Sequence, residues 1–162
     1  MSTLIIMLLT FFLLWSLNTY GLKGFLSISM IGRLAIAVML LFTGASHFTK
    51  QSEMVQMMPE FLPYKIELVY LTGLMELAFA VGLVWQRSSK WTAIILIIFF
   101  CLILPANVIG SLKRVHLGGM ENGLAYLYFR VPLQFFFVGW VYYFGIRLPE
   151  SAREKMTAIN KA

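Results

Sequence analysis

Glu76, Arg130 and His47 are ionisable residues that fall inside, or at the edge of, long apolar runs. Thr43, Thr72, Asn107 and Gln134 are uncharged polar residues in the same runs. A charge at the centre of a membrane helix costs roughly 2.5–3.5 kcal/mol or more, so such a residue marks a functional site by default. Thr43 and His47 are four apart, as are Thr72 and Glu76, and Arg130 and Gln134, so each pair shares one helix face. A guanidinium facing a carboxylate can grip it at two points and still donate to a third group. The expectation is therefore a Glu76–Arg130 pair with Gln134, Asn107, Thr72 and His47 around it. The competing reading is a buried ion pair that only fixes helix register. His47, at a helix end, reads as a histidine hydrogen-bonded to backbone or water, with proton transfer as the alternative. His116 or Glu76 would have to join it for a metal, and no helical His/Glu ligand spacing exists, so no metal is expected.

The elements that must hold these residues follow from composition. Of 162 residues 60% are apolar and 12% are charged, about half the charged share of a soluble domain. A water-soluble fold could not cover so much apolar surface, and lipid is the solvent that suits it. A bilayer core about 30 Å thick takes ~20 apolar residues in a helix. Five runs approach that length: Thr3–Tyr20, Ser27–Phe48, Ile66–Trp85, Trp91–Leu112 and Leu124–Ile146. The fold expected is an all-α membrane protein of one domain with five spans. Counting ~1.5 Å per residue from the outer helix ends, Asn107 lies ~8 Å deep, Arg130 ~9 Å, and Glu76 and Gln134 ~15 Å. Four helices thus offer polar groups to the same half of the bilayer.

The connections carry Gly21 and Gly24, Pro59 and Pro63, Gln86 to Lys90, and Gly118, Gly119 and Gly123. Lys23, Arg33, Arg87, Lys90, Arg147, Arg153, Lys155 and Lys161 fall on one side, against Lys50, Lys65, Lys113 and Arg114 on the other. Eight against four predicts an outside amino terminus and a cytoplasmic carboxyl terminus. The basic residues form no stripe, which argues against nucleic acid as a partner. The first run has no basic residue before it and no cleavage site after it, so it reads as a retained helix.

From Thr49 to Lys65, Met54, Val55, Met57, Met58, Phe61 and Leu62 alternate with Glu53, Gln56 and Glu60, as in an amphipathic surface segment. Those methionines read as gap fillers in preference to soft-metal ligands. Cys101, the single cysteine, excludes an internal disulfide and is expected to be buried and inert. Pro105 and Pro132 should bend their helices beside the polar set. Gly73, Ala78 and Gly82 should allow close helix contact. No phosphate-cradling loop, nucleophile elbow or dinucleotide fingerprint is present, so no enzyme activity is expected of the chain by itself.

Several ordered elements resemble the DoxX family of small bacterial membrane proteins, in its DoxX-like branch. They are Arg33 opening a helix, the stretch from Phe42 to Phe48, the stretch from Met58 to Tyr64, Leu71 to Glu76, Leu104 to Asn107, and Arg130 to Gln134. The resemblance covers about residues 28–147 and implies a four-helix bundle over 27–147. The first run (1–26) is then an added span, and 148–162 a short cytoplasmic tail. The family takes its name from a subunit of a thiosulfate:quinone oxidoreductase. The resemblance therefore implies a multi-pass protein of the bacterial plasma membrane, accessory to a redox or stress-response complex. Its ligand would be a quinone or another small amphipathic molecule, and its partners other complex subunits. A scaffold whose polar cluster only locks the bundle, and a small transporter, are the competing functions.

Overall fold

A bilayer offers backbone N–H and C=O groups no partner, so an apolar chain satisfies them within helices. The structure, a computed structural model, describes residues 2–21 and 25–149. The described residues form α1 (Ser2–Tyr20), α2 (Ile28–Thr49), a short α3 (Gln51–Gln56), α4 (Lys65–Val84), α5 (Ser89–Leu112) and α6 (Leu124–Tyr142). A 3₁₀ turn at Met120–Asn122 precedes α6, and a π turn at Tyr143–Arg147 continues it. No strand occurs among the described residues. The fold is thus all-α, with five helices long and apolar enough to cross a membrane. The ends of these helices lie within a few residues of the expected runs.

Local chemistry sets the boundaries. Ser27 caps α2, its hydroxyl accepting from the Met30 N–H. Asn18 clasps the α1–α2 connection at two points, donating to the Leu26 carbonyl and accepting from the Leu26 N–H. Gly119 and Gly123 take positive φ on either side of the 3₁₀ turn, and the Gly123 conformation (φ 60°, ψ −127°) is open to glycine alone. That sharp turn sends α6 back against α5.

Helix α2 packs most closely on α4, α5 on α6, and α4 on α5, while α1 lies along the outside of α2. Ring contacts of Phe11 with Trp140 and Phe144 dock α1 on α6 and the π turn. Only Met7 and Asn18 of α1 are buried; Leu9, Phe12 and Leu13 face outward, as lipid contact requires. The core runs through Ile36, Leu40, Leu83, Leu96 and Val141. This layer fills the half of the bundle that holds the α4–α5 turn.

Four expectations change. Arg33 is not a connection charge: it lies 5% exposed inside α2 and donates from Nη1 to the Leu83 carbonyl at 3.2 Å. Cys101 is exposed on the outer surface of α5 beside Leu102, because an apolar residue in a span is as much at home against acyl chains as in the core. Ala78 also faces outward, whereas Gly73 and Gly82 do sit at close contacts. The 49–65 segment is only partly a surface stretch: α3 buries nothing, but Met57 turns in against Val115 and Met120. Residues 150–162, most of the expected tail, lie outside the described residues, as do Lys23 and Gly24.

Candidate ligand cavity

Two glycines determine where the polar residues meet. A Cβ on Gly73 would lie 2.6 Å from the His47 Cβ, and one on Gly44 would lie 3.1 Å from the Gly73 carbonyl oxygen. Helices α2 and α4 therefore touch backbone to backbone here, which small residues permit. Such proximity places the His47 ring over the turn of α4 that carries Thr72 and Glu76.

His47 Nδ1 lies 2.9 Å from the Val69 carbonyl oxygen and 3.2 Å from Thr72 Oγ1. The Thr72 hydroxyl donates its own proton to the Leu68 and Val69 carbonyls. Both neighbours of Nδ1 are then acceptors, so Nδ1 carries a proton. On the other side of the ring, Nε2 stands 3.5 Å from Glu76 Oε1. Glu76 is 5% exposed, and its Oε2 is shut off from solvent without a hydrogen-bond partner.

Arg130, on α6, is not the partner of Glu76. No ion pair within 4.0 Å joins them, and Arg130 makes no hydrogen bond to any described residue. Its Nε is buried and unpartnered, while the side chain as a whole is partly exposed, facing the cavity. The expected carboxylate–guanidinium clamp is thus a carboxylate–imidazole couple with a guanidinium held apart. The reason is the Gly44–Gly73 approach, which brings α2 nearer to Glu76 than α6 comes.

Gln134 does its work within the protein. Its Nε2 donates to the Phe100 carbonyl of α5 at 2.8 Å. Asn107 is buried and lines the same space.

His47, Thr72, Glu76, Asn107, Arg130 and Gln134 all line one cavity of about 310 Å³. Phe99, Phe100 and Phe137 form its apolar floor, and Lys50, Met54 and Met58 lie toward the connections at its rim. The size is at the small end of ligand cavities, which run about 300–1,000 Å³. Glu76 is the only carboxylate among the described residues lining it. No group of three or more metal-ligating His, Cys, Asp or Glu side chains occurs among the described residues, and His116 is exposed on a connection. Sequence reasoning missed the His47–Glu76 contact and the burial of Arg33. Gly44, one turn before His47, is the signal that could have found the first.

A family model described as a domain of unknown function, DUF8561, matches residues 36–145. It spans more than half of the chain, which belongs to that family; α1 lies outside the matched segment. No curated protein and no solved structure matches the chain.

Proposed function

We propose that this is a multi-pass plasma-membrane protein that binds a small amphipathic molecule in the cavity, as an accessory subunit of a redox or stress-response complex. One observation carries the reading: Glu76 and Arg130 line the same cavity, and Arg130 makes no hydrogen bond to any described residue. Leaving a buried polar group unpaired costs about 1–3 kcal/mol, more when it is charged. A ligand that brings an acceptor to Arg130 and a donor to Glu76 offsets that cost. A quinone head group in its quinol form offers both kinds of atom, and its ring suits the phenylalanine floor. The resemblance to the DoxX family favours the same ligand class and the redox setting.

With Arg33 buried, the basic residues of the connections and tail stand seven against four, which still favours an outside amino terminus. The cavity would then open toward the outside. A scaffold role draws support from Gln134 and His47, whose polar atoms are tied to backbone carbonyls. It gives no account of Arg130. A transporter needs access from both sides, and the described lining of the cavity stops short of the Ile36–Leu83–Val141 layer.

Extraction of the full chain directly into lipid nanodiscs, followed by mass spectrometry of the released small molecules, tests the reading. About one amphipathic molecule per protein is expected in the parent, lost in the Glu76→Gln, Arg130→Gln double variant at unchanged helical content. Equal small-molecule content in parent and variant would leave the cavity without a ligand role.

A further inference from the structure

We infer that the occupant of the cavity is a long-tailed amphiphile drawn from the bilayer. Its head sits in the cavity, and its tail leaves sideways between α2 and α6, along the first turns of α1. This rests on the reading that the cavity binds a ligand, and it makes α1 a wall of that site. The seam between α2 and α6 changes along its length. Toward the α4–α5 turn it is shut: the Trp140 Nε1–H donates to the Gly32 carbonyl, the Ser29 hydroxyl donates to the Phe144 carbonyl, and Gly32 lies flush against the Phe144 ring. Toward the other end the two helices part, and Phe42 and Thr43 of α2 face the cavity together with Arg130 and Phe137 of α6.

Helix α1 covers this gap. Met7 is its one fully buried apolar residue, and Phe11 docks on Trp140 and Phe144. One turn before Met7, Thr3 lines the cavity itself, as does Ser2. Phe42 lines the cavity and is nevertheless 47% exposed, so the edge of the cavity meets the acyl chains there. The way toward water is capped by apolar side chains. Met57, Val115 and Met120 are buried against one another, with Met54, Leu117 and Tyr126 packed on them. A Cβ on Gly110 would lie 2.7 Å from Met57 Cγ and 2.9 Å from Met120 Sδ, so the cap sits directly on α5. A molecule dissolved in the bilayer already lies level with the seam. A cavity of about 310 Å³ holds a head group but not a long tail, which must then pass through the seam.

The test uses the full chain in phosphatidylcholine nanodiscs and two photoreactive decylbenzoquinones. One carries a diazirine on the carbon next to the ring, the other at the end of the tail. Cross-linked peptides are located by mass spectrometry, and excess decylubiquinone identifies the label that is competed. Competed label from the ring-proximal probe is expected on α5 and α6, beside Phe100 and Arg130. From the tail-end probe it is expected on the first two turns of α1 and around Phe42. Thr3→Trp, which fills the seam, should weaken decylubiquinone as a competitor by at least about fivefold. The tail-less dimethoxymethylbenzoquinone should compete equally well in parent and variant; the label map decides the matter if Thr3→Trp does not fold. Competed tail-end label on Met54, Met58 or Leu117 would send the tail toward water and overturn the inference. Tail-end label confined to the phenylalanine floor would overturn it too, since the cavity would then enclose the whole molecule. Equal weakening of the tailed and tail-less quinones by Thr3→Trp would remove the seam from the account. No competed label from either probe would overturn the inference, and the nanodisc extraction then decides separately whether the cavity holds any ligand.

Discussion

Arg33 and Arg130 are both charges within apolar helices, and the molecule treats them differently. Arg33 lies about five residues, or ~8 Å, into α2 and is spent on the fold. Its Nη1 meets the Leu83 carbonyl near the carboxyl end of α4, where the helix dipole favours a cation, and its Nη2 rests 3.5 Å from the Met30 sulfur. Around it the bundle is closed by further cross-links: the Trp140 Nε1–H donates to the Gly32 carbonyl and the Ser29 hydroxyl to the Phe144 carbonyl, within the π turn. Arg130 sits in the half that is hollow and has no acceptor among the described residues. Burial of a charge is therefore a poor guide to function: Nε is unpartnered in both arginines, and what distinguishes them is that Arg33 still reaches the Leu83 carbonyl whereas Arg130 makes no hydrogen bond to any described residue.

The contrast between a packed half and an open half can be broken by adding or deleting small groups in each. Gly32→Ala should have the largest effect, because its Cβ would fall within the Phe144 ring. Overpacking of this kind costs about 1–3 kcal/mol, read as a lower midpoint in thermal unfolding in nanodiscs. Ser29→Ala removes the hydrogen bond to the Phe144 carbonyl and should cost about 0.5–1.5 kcal/mol by the same assay. Ala106→Leu adds more bulk than either change but directs it into the cavity, so the midpoint should move by less than about 0.5 kcal/mol. The co-purifying small molecule should nevertheless be lost in that variant. If Ala106→Leu destabilised the protein as much as Gly32→Ala, the cavity half would be as tightly packed as the other.

The five helices were legible because lipid imposes one rule on every span: about twenty apolar residues, closed at each end by charge, glycine or proline. The meeting of six polar residues in one cavity was legible too, since depth and helix face follow from counting residues. Partner choice was not. Whether Glu76 meets His47 or Arg130 depends on which neighbouring helix approaches α4 more closely, and that is settled by Gly44 opposite Gly73 across two helices. Arg33 was read as a connection charge because a basic residue near the end of a run has the same sequence signature whether it reaches outward or inward. Cys101 was misread for a related reason: in a membrane helix apolar neighbours do not distinguish the core from the lipid face.

The account turns on Arg130 being held ready for a ligand and contributing nothing to the bundle. Arg33→Met and Arg130→Met, compared by thermal unfolding in identical nanodiscs without added ligand, test this most directly. Arg33→Met should lower the midpoint by roughly 3–10 °C through the loss of a charged hydrogen bond. Arg130→Met should unfold at or above the parent midpoint, because an unpartnered buried charge gives way to an apolar side chain. A fall for Arg130→Met as large as that for Arg33→Met would make Arg130 a structural residue and contradict the account.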